Sequence, residues 1–294
     1  MELTLGPLLF NWPADQVADF YRRIAEETDI DIVYLGEVVC GKRQPLLQAA
    51  LAGAADRLET AGKQIIWSTL ALPGTPRERR LVSELAADTD HLIEAGDMSA
   101  VWNRAPAPFV AGPLLNVYNA PAAQELMRLG CVRLCANVEL SLAAISAIHS
   151  ACPDLPLELF GFGRLPLALS SRCAQARAAG LHRDACRYVC DQYPDGMDVM
   201  TLECASFLAI NGLQTLSHGC QVIDVPVDTL TQAGVTALRL SPHTLDMVKT
   251  IALFRDYASN RISSGDLSAE LVRLPLPGPL VSGYLHGLAG AQPV

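Results

Sequence analysis

Four of the nine cysteines in this chain have types and spacing that suggest chemistry. Cys40 follows an apolar run in GEVVCGKR, and SSRCAQARAAGLHRDACRYVCDQY spaces Cys173, Cys186 and Cys190 as Cys-x12-Cys-x3-Cys. Thiolates are soft donors, so four of them suit a tetrahedral zinc or an iron–sulfur cubane and disfavour magnesium or calcium. The spacing leaves both open. If HRDACRYVC is helical, Cys186 and Cys190 share one face. Arg172, Arg177, Arg183 and Arg187 read either as compensation for a thiolate-bound metal or as a solvated helix face. His182 lies nearest the trio, but four thiolates already complete a ligand set. Cys131, Cys135, Cys152, Cys204 and Cys220 sit in apolar patterns and read as packing residues, because a free cysteine behaves as a small hydrophobe.

For an early cysteine to meet three late ones, the fold must bring distant loops to one place. Short β-rich runs alternate with helical patterns along the chain, the signature of repeated βα units. Eight candidate strands begin near Leu3, Asp31, Gln64, His91, Pro108, Cys131, Leu157 and Thr236. This predicts an α/β fold, a (β/α)8 TIM-like barrel, regular or distorted, as a single domain over 1–294. In such a barrel the loops that follow the strands gather at one face. Cys40 follows the second strand, and the trio lies in an insertion of about 164–234 between the seventh strand and the eighth. Among the helices, PADQVADFYRRIAEET puts Val17, Phe20, Tyr21 and Ile24 on one face, and Thr75-Pro76 reads as an N-cap and first helical residue. Inside the insertion, ING supplies a hairpin turn within DVMTLECASFLAINGLQTLS. HTLDMVKTIALFRDYASN reads as the closing helix, and the Pro- and Gly-rich tail from about 274 reads as extended.

Half the residues are hydrophobic and 18% are charged, which predicts a large buried core. The formal charge of −9 argues against nucleic acid as a partner. No basic n-region opens the chain and no apolar run reaches the ~20 residues of a transmembrane segment, so the expected location is cytoplasmic, where cysteines stay reduced. No Gly-x-Ser-x-Gly elbow and no His-Glu-x-x-His helix occurs, so neither common hydrolase chemistry is indicated. Asn11, Glu37, Glu94, Asp97, Asn116, Glu139 and Arg164 fall near strand ends, where such residues line a barrel mouth or merely cap helices.

The stretches YLGEVVCGKR, GFGRLPLALSSRC, CRYVC, LAINGLQTLS and GYLHGLAG resemble the collagenase-like peptidase family, which includes prephenate-dependent hydroxylases. The resemblance runs essentially from end to end, and Cys40 together with the late trio matches the branch that serves oxygen-independent ubiquinone biosynthesis. It implies a 4Fe-4S cluster on Cys40, Cys173, Cys186 and Cys190. It further implies a heterodimer with a UbiU-like paralogous subunit, a ubiquinone precursor as substrate and prephenate as the oxygen donor. Other branches carry a His-Gly-x-x-Cys element where this chain has Phe162 and Pro166, and Ser171 replaces a glycine. The family's Arg-Glu-Leu-Ser element reads Val138-Glu139-Leu140-Ser141, so an arginine suited to a carboxylate is missing there. An RNA-modifying hydroxylase and a zinc-stabilised scaffold subunit are the alternative functions.

Overall fold

The computed structural model describes residues 1–293. Apolar runs with both faces buried form parallel strands, as expected where helices cover a sheet. They are β1 (Glu2–Leu5), β2 (Ile32–Leu35), β3 (Gln64–Ser68), β4 (Ile93–Ala95), β5 (Phe109–Ala111), β6 (Cys131–Cys135) and β7 (Leu157–Leu169). Three strands of the insertion follow, β8 (Met197–Met200), β9 (Ser206–Asn211) and β10 (Gln214–Val222), then β11 (Val235–Leu240) and β12 (Leu280–Val281). Strands β1 to β7 pair in order, and β11 pairs in parallel with both β7 and β1, so eight strands close a TIM-like barrel. All eight strands read from the sequence are present.

The helices that cover the barrel follow from their caps and apolar stripes. In α1 (Ala14–Glu27), Val17, Tyr21, Ile24 and Ala25 are buried. After α2 (Gln44–Thr60), α3 (Pro76–Ala87) starts with a capping box: Thr75 accepts from the Glu78 N–H, and the Glu78 carboxylate accepts from the Thr75 N–H. The further helices are α4 (Met98–Arg104), α5 (Ala120–Arg128), α6 (Leu142–Ala151), the short α7 (Ala174–Ala178), α8 (Val227–Gln232) and α9 (Met247–Ala258). A further helix, α10 (Ser264–Leu271), follows α9, which is therefore not the last; the capping box of Ser263 and Asp266 starts it.

The insertion departs from a plain loop. Strand β7 does not end at the barrel rim but runs 13 residues, and its far half pairs antiparallel with β10. The ING turn joins β9 to β10 as a hairpin, and β8 adds a third antiparallel strand. Buried Arg164 secures this extension by donating to the carbonyls of Ser217 (3.1 Å) and Pro277 (2.8 Å) and to Asp198 (3.0 Å). The tail is not simply extended, since β12 pairs with β10 and a 3-10 turn spans Gly283–His286.

Candidate metal centre

Cys40 sits on the loop from β2 into α2. Buried Glu37 shapes that loop: its Oε1 accepts the N–H groups of Val39 and Cys40, both at 2.8 Å. Beyond Gly41, Lys42 and Arg43 point their cations into the insertion. Lys42 Nζ donates to the carbonyls of Arg183 (2.8 Å) and Asp184 (3.1 Å) and lies 3.6 Å from Cys186 Sγ.

On the insertion side, Cys173 N-caps α7; its Sγ accepts from the Ala176 N–H at 3.4 Å, and its thiol lies 3.3 Å from the Gly212 carbonyl. Cys186 ends one 3-10 turn (Arg183–Ala185) and Cys190 lies in another (Val189–Gln192). The condition that HRDACRYVC be helical is not met. Arg187 (φ 51°) and Tyr188 (φ 55°) break it by entering the left-handed region in succession. Non-glycine residues pay for that conformation with local strain, which tends to collect at functional sites. Cys190 is buried, and Asn11 Nδ2 donates to its sulfur at 3.3 Å.

A buried polar bracket joins the two sides. Arg43, 1% exposed, donates through Nη2 to Asn211 Oδ1 at 2.6 Å and through Nη1 to the Leu9 carbonyl at 3.3 Å. Asn211 Nδ2 in turn holds the carbonyls of Cys190 (3.0 Å) and Tyr193 (2.8 Å). Gly212 turns the hairpin at φ 69°, and a Cβ there would stand 2.3 Å from Arg43 Nη2. Burial pushes the Cys40 thiol above its ordinary pKa, with Arg43 opposing. Burial likewise works against the Arg43 charge, yet Glu37, Cys190 and Cys40 hold its pKa above the ordinary value.

Cys40, Cys173, Cys186 and Cys190 line one narrow cavity of ≈ 20 Å³, with Lys42, Arg43 and Arg183 in its wall. Among the described residues, no three His, Cys, Asp or Glu side chains converge as ligands of a single metal ion. A tetrahedral zinc at ~2.3 Å from each sulfur would draw its thiolates to within about 4 Å of one another. A cubane gives each thiolate its own iron and spreads them around its body. The donor set, four soft thiolates with N–H groups aimed at sulfur and cations nearby, fits a thiolate-bound cluster in its chemistry. A cluster would have to part these loops to enter so narrow a space.

The remaining candidates separate clearly. Arg172, Arg177 and Arg187 are exposed, and only Arg183 reaches the cavity. The cations nearest sulfur, Lys42 and Arg43, follow Cys40 after a single glycine in the sequence, a signal that the spacing argument passed over. His182 is exposed. Asp97 caps α4, Asn116 accepts from Asn137 Nδ2 at 3.0 Å, and exposed Glu139 accepts from the Tyr118 hydroxyl at 2.7 Å. Cys131, Cys135, Cys152 and Cys220 are buried as packing residues should be, whereas Cys204 is exposed in the turn between β8 and β9.

The barrel interior holds a second polar group. Arg239 on β11 bridges Glu94 (2.5 Å) and Glu158 (2.7 Å), Thr4 and Tyr34 donate to Glu158 at 2.6 Å, and Ser68 donates to Glu94 at 2.7 Å. Burial pushes the Glu158 carboxyl up, but Arg239, Thr4 and Tyr34 together hold it below its ordinary value. Arg239 also borders a cavity of ≈ 30 Å³ at the barrel mouth. Its sequence signs were single charged letters inside apolar strand runs, Glu94 in LIEAG, Glu158 in LELFG and Arg239 in TALRL.

The family model described as Peptidase family U32 matches residues 20–270. Among solved structures, N-acetylneuraminate lyase from Mycoplasma synoviae is similar with a TM-score of 0.45 at 10% identity, covering 92% of this chain and 78% of that one.

Proposed function

Since the chain belongs to peptidase family U32, we propose that it is a UbiV-type subunit: the iron–sulfur half of an oxygen-independent hydroxylase acting in ubiquinone biosynthesis in the cytoplasm. The observation that carries this reading is the meeting of four thiols, from loops after β2 and β7, around one cavity with Lys42, Arg43 and Arg183 in its wall. Cys40, Cys173, Cys186 and Cys190 would hold a 4Fe-4S cluster, which when bound supplies one-electron chemistry.

The chain's own residues do the rest. Asn11 donates toward Cys190 sulfur, the Ala176 N–H toward Cys173, and Lys42 toward Cys186, each favouring the deprotonated ligand. Arg43 offsets the thiolate charge from a site that excludes water, and Glu37 orients the Cys40 backbone. A UbiU-like paralogous subunit completes the enzyme as a heterodimer, with a ubiquinone precursor as substrate and prephenate as oxygen donor. The metal itself separates this reading from a zinc-stabilised scaffold subunit, since zinc is colourless and a cubane absorbs broadly in the visible. Among the described residues no helix is long and apolar enough to cross a membrane.

The test is anaerobic co-purification with the paralogous subunit, analysis for iron and acid-labile sulfide, and a hydroxylation assay with and without prephenate. Broad visible absorption, about four irons per chain and prephenate-dependent product are expected. A colourless zinc protein, or full activity of this chain alone, would overturn the reading.

A further inference from the structure

Around the thiol-lined cavity the surface charge runs against that of the whole chain. The formal charge is −9, yet residues 171–188 carry four arginines, Arg172, Arg177, Arg183 and Arg187, against one carboxylate, Asp184. Elsewhere exposed arginines meet acids at short range, as Arg22 does Glu26 (2.8 Å), Arg80 Glu84 (2.7 Å) and Arg128 Glu125 (2.8 Å). Here, among the described residues, the exposed Arg172, Arg177 and Arg187 meet no carboxylate, and Arg183 meets only buried Glu78, at 3.6 Å. Asp184 lies 3.4 Å from His182 instead. Arg172, Arg177 and Arg183 line one open cleft of ≈ 410 Å³ whose lining includes Cys173. Cys173 and Arg183 also line the thiol cavity, so the two spaces share a wall, and Cys173 and Cys186 are only half-buried there.

We propose that this face is the docking surface for a small acidic electron-transfer protein. Charge complementarity selects the partner. An anionic carrier is repelled by the chain as a whole and attracted at this face, which steers its approach to the side where the thiols open. Exposed, unpaired guanidiniums suit the brief, small contacts that electron carriers make, whereas the core of a permanent subunit interface is depleted in charge. The proposal rests on the cluster reading above for its one-electron chemistry, and adds to it the class of carrier and the place where it docks.

The test is anaerobic titration calorimetry of the full chain with a plant-type 2Fe-2S ferredoxin, an acidic carrier, and with cytochrome c, a basic one. Ferredoxin should bind and cytochrome c should not. Raising the salt from about 0.05 M to about 0.3 M should weaken ferredoxin at least tenfold, since exposed charges are screened. Arg172→Gln combined with Arg177→Gln should weaken it at least tenfold at low salt with the thermal midpoint unchanged, whereas Arg80→Gln combined with Arg128→Gln, at exposed arginines elsewhere, should not. With iron-loaded chain, reduced ferredoxin gives up one electron, the cluster takes it, and no bond forms or breaks; this exchange should slow at least fivefold in the variant lacking Arg172 and Arg177. Salt-independent binding, equal binding of cytochrome c, unaltered affinity in that variant, displacement of ferredoxin by the paralogous subunit, or preference for an RNA oligonucleotide over ferredoxin would each overturn the proposal. Iron measured on the same samples keeps the two readings apart. Ferredoxin binding to an iron-free chain sinks the cluster and not the docking face, and an iron-loaded chain that ignores ferredoxin sinks the docking face alone.

Discussion

Replacing Arg43 by Met should separate a structural bracket from a charge that serves the cluster. The guanidinium is 1% exposed, with one short bond to Asn211 Oδ1 (2.6 Å) and one longer bond to the Leu9 carbonyl (3.3 Å). Methionine strands neither acceptor: Asn211 Oδ1 keeps the Asn11 N–H at 3.3 Å, and the Leu9 carbonyl keeps Gln214 Nε2 at 2.6 Å. The loss is thus one charge-assisted bond, about 1.5–3 kcal/mol, and the cation that faces buried Glu37, partly offset because a guanidinium no longer has to be desolvated. The metal-free variant should lose about 2 kcal/mol in urea denaturation. In the loaded protein the same cation acts on the cluster. At an effective dielectric of about 20 it contributes on the order of 2 kcal/mol in favour of the more negative, reduced form. Arg43→Met should therefore lower the one-electron potential by about 80 mV and reduce iron retention on gel filtration. Arg43→Lys should keep most of the potential while losing the paired bonds. A potential and an iron content both unchanged in Arg43→Met, beside the 2 kcal/mol loss, would show that Arg43 only braces the loops and would refute the electrostatic argument.

Other outcomes follow from single residues. Across all nine Cys→Ala variants, iron and sulfide after reconstitution should fall only for Cys40, Cys173, Cys186 and Cys190; buried Cys131, Cys135, Cys152 and Cys220 should cost on the order of 1 kcal/mol or somewhat more in packing, and exposed Cys204 almost nothing. Gly212→Ala should destabilise by about 1–2 kcal/mol through its positive φ alone and lose iron as well, because the new Cβ displaces Arg43; denaturation and iron analysis read both. Arg239→Met should cost about 3–5 kcal/mol by leaving buried Glu94 without a cation and buried Glu158 with only the longer Arg133 pair at 3.8 Å. In the parent chain Glu158 is held below its ordinary value, so its stabilisation is complete above the unfolded carboxyl pKa and is lost as pH falls through the lowered folded one. In Arg239→Met that stabilisation is gone and protonation relieves the buried charge, so its deficit should shrink on acidification; thermal melts from about pH 7 to 4 would show a constant deficit if the ion pairs are unimportant. Thr75→Ala, which breaks a capping box, should cost about 1 kcal/mol in the same melts.

Local patterns along the chain were enough to count the barrel and to group four of its cysteines. Strand runs such as IVYL and QIIWS, the Thr75-Pro76 helix start and the ING turn each act over a few residues, so their physics is written where they stand. The count of βα units then implied a barrel, and a barrel implied that the loops after the second and seventh strands share a face. What the letters did not show depends on contacts across long separations. Nothing near Leu169 says that β7 continues past the rim, because its partner β10 lies dozens of residues on. CRYVC has helical spacing, but left-handed backbone at Arg187 and Tyr188 breaks it into separate 3-10 turns. Lys42 and Arg43 are an ordinary basic pair in sequence; only the closed barrel puts one beside Cys186 and the other against Asn211, 168 residues away. The charge on Arg239 likewise finds Glu94 and Glu158 only because β11 closes the barrel between β7 and β1. Residue types and spacing thus determined which elements form and which donors are available, while chain closure decided which charges and hydrogen bonds surround them, since those interactions act through space and not along the chain.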